Sequence, residues 1–476
     1  MVFNSILFLQ FIACFLPLYF ILKGRDRMWL CLIASYIFYG SWDWRFLGIV
    51  LFTTVLDYSL AIFIEDTSDV VKKKRLVTLS VCMNLGFLGF FKYFNFFIDS
   101  FINLLKIGGI TPSWHTLHII LPIGISFYTF QSMSYTIDVY KKEIKAERDF
   151  FRFATFVALF PQLVAGPIVR ARDFLPQFRE DKKFDWNRII EGLGQILWGF
   201  FKKVAIADSL APFVDQCFNA PDGFSASHLL LGVIFYSFQI YCDFSGYSNI
   251  ACGLAYMLGF DFPWNFRTPY FSKNFSEFWT RWHISLSSWL RDYLYISLGG
   301  NRNGVFMTYR NLVLTMVLGG LWHGANYTFI IWGFLHGFYL VIQRLVGKKF
   351  GALEDAMKMP KWMQTGLDIM IVYTLTCFAW IFFRAENLST ALKVIERIVS
   401  LEGFSWDTVI NKFMVVKAFV LIAILLTAEM MNNNWQNLQK IALVSTPFRV
   451  VSYSILLWLI AFFGTFGSKA FIYFQF

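Results

Sequence analysis

The sequence predicts an all-α protein, a polytopic transmembrane helical bundle of about ten to twelve spans with re-entrant or interfacial helices. Three observations predict it. Of 476 residues, 57% are hydrophobic and 15% charged, against roughly 25% charged in a soluble domain, so charge is confined to a few places. Apolar runs long enough to be membrane helices recur along the chain, separated by short loops that hold most of the Lys and Arg. Aromatic residues reach 20%, which suits a surface facing lipid and ends that need interfacial anchors. The net charge of +11 therefore reads as topology-setting loops meeting anionic lipid, and no nucleic-acid partner is expected. The seven cysteines are scattered without a CxxC spacing, which argues against a metal site and against a disulfide framework.

The first apolar run, 2–22, ends at Lys23. A signal peptide carries its positive charges before the apolar stretch and a small-residue cleavage site after it. This run has neither and is expected to remain as the first transmembrane helix. Runs at 28–41, 46–64, 76–106 and 118–138 follow. The loops between them alternate in charge. Lys23–Arg27 is basic, Ser41–Arg45 is nearly neutral, and the next loop ends in Lys72, Lys73, Lys74 and Arg75. Gly108–Leu117 lacks Lys and Arg, whereas Lys141–Asp149 is rich in both. Basic short loops stay in the cytoplasm, which puts the N-terminus outside. The run 76–106 is long for one span and contains Lys92, so it is expected to tilt or kink.

Phe150–Gly166 is apolar but ends in Ala165-Gly166-Pro167, before a basic stretch from Arg170 to Arg188. That pattern predicts a re-entrant or interfacial segment on the cytoplasmic side, buried in protein or lining a cavity. Further apolar runs lie near 189–206, 228–242, 246–262, 276–298, 311–345, 366–384, 413–431 and 450–474. No polar stretch is long enough for a separate soluble domain and no internal repeat is visible, so residues 1–476 are expected to form a single integral-membrane domain.

Six histidines are candidates for chemistry. His115 and His118 flank an uncharged loop and His228 opens an apolar run, positions that suit interfacial residues. His283, His323 and His336 lie deep in apolar sequence, where an ionisable residue is expensive and either functional or hydrogen-bonded to a neighbouring helix. His323 sits in Gly319-Gly320-Leu321-Trp322-His323-Gly324-Ala325-Asn326. Small residues there let backbone or a long ligand approach, Trp322 offers an apolar wall and Asn326 a polar group. Asn274 with Glu277 resembles a capping box opening a helix through His283. On such a helix Trp279, His283, Leu286 and Leu290 share one face, and Glu277, Arg281, Ser288 and Asp292 another. This pattern fits a solvated interfacial helix and a cavity wall equally. His336 follows His323 by thirteen residues, about 220° around a continuous helix, and reads as structural. The chain carries no Gly-x-Ser-x-Gly, GxxxxGK[ST] or HExxH pattern.

Trp282-His283-Ile-Ser-Leu-Ser, Arg291-Asp292-Tyr-Leu-Tyr-Ile, Leu298-Gly-Gly-Asn-Arg302 and Leu321-Trp-His-Gly-Ala-Asn326 resemble the core of the membrane-bound O-acyltransferase family, in its bacterial alginate O-acetyltransferase branch. Leu121-Pro-Ile-Gly-Ile-Ser-Phe-Tyr128, Val164-Ala-Gly-Pro167, Asp243-Phe-Ser-Gly-Tyr-Ser248, Phe382-Phe-Arg-Ala-Glu-Asn387 and Tyr473-Phe-Gln-Phe476 extend the likeness over nearly the whole chain. The resemblance implies a helical bundle with a central tunnel. It implies His323 as the catalytic histidine and His283 as a second one; the local patterns add Trp322, Asn326, Arg281 and Asp292 as tunnel candidates. The resemblance also implies acyl transfer, with acetyl-coenzyme A as donor substrate, no bound cofactor and no metal. The acceptor implied is an extracytoplasmic polysaccharide such as alginate, reached directly or through a periplasmic SGNH-hydrolase-like acetyltransferase partner, from the bacterial inner membrane. Arg170, Arg172, Lys182 and Lys183 then fit either the donor entrance or lipid headgroup contact. A D-alanyl-type acyltransferase fed by a carrier protein, and a transporter or flippase without chemistry, are the rival readings.

Overall fold

The computed structural model describes the chain except residues 111, 113–116, 118, 357, 406–410, 432–445, 467–470 and 473–476, and except the side chains of 348–350 and 352–356. His115, His118 and the Tyr473–Phe476 motif lie outside the described residues, as does half of the loop expected outside the membrane. The described residues are overwhelmingly helical and contain no β-strand. Among the described residues, eight helical segments are long and apolar enough to cross a membrane. One of them, 24–66, is two 20-residue helices, Gly24–Asp43 and Leu47–Asp66, joined by a 3-10 turn. The chain is a multi-pass membrane protein.

Ten to twelve spans were expected; counting the two helices of 24–66 separately, the described residues hold nine helices or helical runs of spanning length. The difference goes into short helices, including Phe150–Ala158, Phe160–Leu163, Asp208–Asn219, Phe275–Arg281 and Ile284–Trp289. The first apolar run forms a 16-residue helix, Ile6–Ile21, shorter than the spanning segments. The runs expected at 228–242 and 246–262 fuse into one helix, Ala226–Met257, most of whose apolar window is buried. Helix starts follow side-chain chemistry. Ser5, Asp69, Asp149, Asn274 and Asn387 each accept a hydrogen bond from the first-turn backbone N–H groups of the helix they open, which satisfies donors that would otherwise be orphaned.

The chain divides into two compact units. The first holds residues 1–196 and 250–263. Within it the long run through Lys92 is interrupted as expected. Val70–Leu88 and Phe94–Ile107 are joined by a π-helical turn, Gly89–Tyr93, with the Lys92 ammonium 3.5 Å from Ser126 Oγ. Phe150–Ala158 ends at Leu159, and the turn through Ala165-Gly166-Pro167 is wholly buried. Gly124, at φ +79°, lets the chain pass so close to this segment that a Cβ there would fall 2.6 Å from the Leu163 carbonyl oxygen. Basic loops assigned to one side of the membrane meet in this unit. Arg148 pairs with Glu65 at 3.0 Å and with Asp66 at 2.5 Å, and Arg27 donates to the Lys182 carbonyl.

The second unit holds residues 197–249 and 264–476. Its centre is a hairpin of two helices, Gly304–His323 and Tyr327–Ala356. They pack backbone to backbone. A Cβ on Gly320 would lie 2.2 Å from the Phe329 carbonyl oxygen, and one on Gly333 2.3 Å from that of Met316. Small residues bring helices this close where lipid supplies no hydrophobic drive for their association.

Candidate active site

His323 ends its helix, and the chain breaks at Gly324 before Asn326 opens the next one. The Asn326 side chain accepts from Thr328 N at 3.1 Å and donates to the Glu386 carbonyl at 2.7 Å. It therefore serves the turn and does not line the cavity beside His323. The break removes the premise for His336. The two histidines lie on different helices, and Trp332 packs against both, 5.2 Å from the His323 ring and 4.9 Å from that of His336. His336 is fully buried among Phe278, Trp279 and Trp332.

The expected helix through His283 is also broken. Phe275–Arg281 stops, His283 takes a left-handed conformation at φ +42°, and Ile284–Trp289 starts afresh. A non-glycine residue there is strained and is held by its surroundings. The holding residue is Asn265, which sequence reasoning missed. Its backbone carbonyl accepts from Ile284 N at 2.9 Å. Its side-chain Oδ1 accepts from Ser285 N at 3.3 Å and from Ser285 Oγ at 2.6 Å, and Nδ2 donates to Ser248 Oγ at 3.2 Å. A backbone N–H can only donate, so the amide orientation is decided. Oδ1 also lies 3.2 Å from His283 Nδ1, which must then carry the proton. That makes Nε2 the acceptor of the ring. His283 is completely buried, and burial pushes its imidazole down to about 3, so it is neutral at physiological pH.

The two imidazoles lie 6.4 Å apart between ring centroids. His323 is 4% exposed and sits among Trp322, Trp332 and Phe383, with centroids 5.0, 5.2 and 5.2 Å away. It lines a cavity of about 280 Å³ within the second unit, with Leu290, Arg291, Gly319 and Trp332 among the other walls and Ser287 and Ser288 among its few polar groups. His283 and Trp322 stand behind this lining. Arg281 pairs with Glu277 at 2.7 Å and bonds Thr268, away from the cavity. Asp292 does not line it either, but it binds Arg291, which does, at 2.7 Å. Of the three glycines near His323, Gly319 faces the cavity and Gly320 is spent on helix packing. His228 is buried, stacked on Phe213 at 4.6 Å. Among the described residues no group of three or more His, Cys, Asp or Glu could hold a metal ion.

The basic stretch is scattered. Arg170 is buried, Arg172 is 3.5 Å from Glu143, Lys183 is exposed, and Lys182 lines a separate cavity of the first unit.

A buried imidazole thus lines a mostly apolar cavity in a chain rich in membrane-length helices. The model of the membrane-bound O-acyltransferase family matches residues 28–384. This chain belongs to that family. It is an acyltransferase, and the matched residues include both histidines and every residue lining the His323 cavity. A "Probable alginate O-acetylase AlgI" of Azotobacter vinelandii is 47% identical over 396 residues, covering 83% of this chain and 77% of the relative. A "Peptidoglycan O-acetyltransferase" of Helicobacter pylori is 38% identical over 432 residues, 83% of this chain and 80% of the relative. A "Teichoic acid D-alanyltransferase" of Bacillus subtilis is 27% identical over 282 residues, 56% of this chain and 69% of the relative. This acyltransferase therefore resembles proteins named for O-acetylation of two different polysaccharides and, more distantly, one named for D-alanylation.

Proposed function

We propose that this acyltransferase takes an acetyl group from acetyl-coenzyme A at the cytoplasmic face and delivers it for O-acetylation of an extracytoplasmic polysaccharide such as alginate. The carrying observation is His323, itself buried, on the wall of a half-open, mostly apolar cavity. A hydroxyl attacks the thioester carbonyl carbon there. A C–O bond forms, the C–S bond breaks, the hydroxyl proton passes to His323, and the imidazolium returns it to the leaving thiolate. The apolar walls keep out competing water and strengthen the field of the few polar groups. His283, neutral and held in one tautomer, positions or tunes its neighbour. The acceptor hydroxyl belongs either to the polysaccharide or to a periplasmic SGNH-hydrolase-like partner that passes the acetyl group on. Because the family match runs from 28 to 384 through parts of both compact units, we read the chain as one functional domain.

The meeting of Arg148 with the end of the Leu47–Asp66 helix, and of Arg27 with the 180–183 loop, supports one basic face. We assign that face to the cytoplasm of a bacterial inner membrane, with the N-terminus outside. A cysteine placed at position 73 should resist labelling from outside while one at position 113 reacts. The reverse pattern would overturn the orientation.

The decisive experiment is acyl transfer by the purified protein. Acetyl-coenzyme A should be consumed by the wild type and not by His323→Ala, and mass spectrometry should find the acetyl ester on the surface glycan only when the gene is active. The D-alanyl reading, favoured by the teichoic acid relatives, requires an alanyl-carrier thioester as the competent donor. A transporter without chemistry would leave every thioester intact.

A further inference from the structure

A second cavity lies entirely within the first unit, with a volume of about 550 Å³. Six basic side chains line it, Lys23, Arg25, Arg27, Arg152, Arg179 and Lys182, against three acids, Asp149, Glu180 and Asp181. The placement of charge matters more than the count. The Arg27 and Lys182 side chains are only 9% and 10% exposed, whereas the acids they pair with, Asp181 and Glu180, are 63% and 72% exposed. Both acids also line the cavity, but their exposure lets solvent weaken their hold on the cations; Arg27 also donates to the Leu22 and Lys182 carbonyls.

Asp149 is already committed, accepting from Phe151 N and Arg152 N at the start of its helix. Glu147, beside the cavity, is shared by Arg152 at 3.0 Å and Arg179 at 3.4 Å. Lys23 and Arg25 form no ion pair among the described residues, and the Arg25 guanidinium instead lies 5.5 Å from the Phe151 ring centroid. With Glu147 counted, six cations face four acids, an excess of two positive charges. The helix that starts at Gly24 also has no side-chain cap, so its first-turn N–H groups and positive dipole end open at the same place. Asp26, in that first turn, does not line the cavity. Tyr19, Met28, Phe178 and Phe260 supply apolar and aromatic wall.

We propose that this cavity is a binding site for a phosphate group carried on an apolar or planar body. Two sources share that chemistry, the headgroup of an anionic phospholipid and the phosphates of a nucleotide thioester donor. The phospholipid arm stands without the acyl-transfer reading. The nucleotide arm rests on it, and His323→Ala, which should abolish transfer while leaving binding here intact, separates the two failures.

The test uses the purified full chain. Native mass spectrometry from phosphatidylglycerol and phosphatidylcholine nanodiscs reads lipid retention, and titration with coenzyme A read by thermal shift reads nucleotide binding. The test variant is the double substitution Lys23→Gln, Arg25→Gln. Both side chains are exposed and outside any ion pair, so the fold should be kept, as the ligand-free melting temperature will report. Should it melt early, Arg179→Gln probes the same cavity from another loop. Lys72→Gln, Lys74→Gln removes the same charge from exposed positions elsewhere and is the control. Each lost charge near the surface should weaken binding roughly five-fold, so the double variant should lose about 25-fold while the control loses little. Selective, variant-sensitive retention of phosphatidylglycerol assigns the site to lipid. Variant-sensitive stabilisation by coenzyme A assigns it to the donor. The proposal is overturned if neither anion binds, or if the control loses as much as the cavity variant.

Discussion

His323 and His283 lie 6.4 Å apart, yet the chain delivers them by opposite means. His323 ends a regular 20-residue helix whose position is set by glycine-to-backbone packing against its hairpin partner. His283 occupies a left-handed break between helices of seven and six residues, held by a single asparagine eighteen positions earlier. One imidazole is placed by many small packing contacts and lines the cavity. The other is placed by a few hydrogen bonds and stands behind it. The comparison teaches that local regularity and functional placement are separate matters. It also predicts that the two sites fail differently.

The largest effect should come from His323→Ala. General base catalysis typically contributes about 10²–10⁴-fold, so acyl transfer should fall by that factor while the protein still inserts, melts normally and migrates as a monodisperse species. A residual rate near wild type would mean that the cavity wall is not the reacting wall. Gly320→Ala attacks the packing that carries His323. Its Cβ meets a backbone oxygen that cannot yield without separating the helices, so a stability loss of about 1–3 kcal/mol is expected, read as a lower melting temperature with activity lost in parallel. An unchanged melting temperature would remove the packing account.

Asn265→Ala attacks the other mode of placement. Without Oδ1 the His283 tautomer is no longer held, and we expect roughly tenfold slower transfer, within the usual range for a removed supporting partner. Histidine ¹⁵N spectra should show the proton leaving Nδ1, a change that a merely structural role would not produce. The pH dependence sharpens this further. The folded-state value of His283, about 3, lies below its ordinary 6.5, so the unfolded chain binds that proton more tightly. The stability linked to His283 is complete above pH 6.5 and drains away as pH falls towards about 3. It follows that His283 contributes no limb to the rate profile at neutral pH. Asn265→Asp places a carboxylate beside Nδ1, raises the imidazole's value and should bring a new acid limb into the profile. The smallest effect belongs to Arg281→Gln. Its ion pair with Glu277 is a quarter exposed on both sides and, as an i,i+4 pair, is worth roughly 0.3–0.5 kcal/mol. Transfer should barely change, and a large loss would put Arg281 back at the cavity.

Much of the fold was legible without coordinates. The all-α membrane class, the interruption at Lys92, the turn after Leu163 and the cap at Asn274 all follow from composition, periodicity or a residue's own hydrogen-bonding habits. The family motifs were legible too, because they are contiguous strings. The breaks in the two histidine segments and the short buried helices were not. An apolar run reads the same whether it crosses lipid or packs as a short buried helix, and the continuous helices drawn through 276–298 and 311–345 both proved to be broken.

Sequence by itself determined that this chain lives in a membrane and which acyltransferase family it belongs to, because hydrophobicity and motif are sums over neighbouring residues. Only the tertiary structure decided that Asn265 holds His283, that Trp332 packs against both His323 and His336, that Asn326 serves a turn, and that cations from three separate stretches of chain line one cavity. Each of these depends on contacts between residues distant in the chain, and no local pattern encodes a distance that packing alone sets.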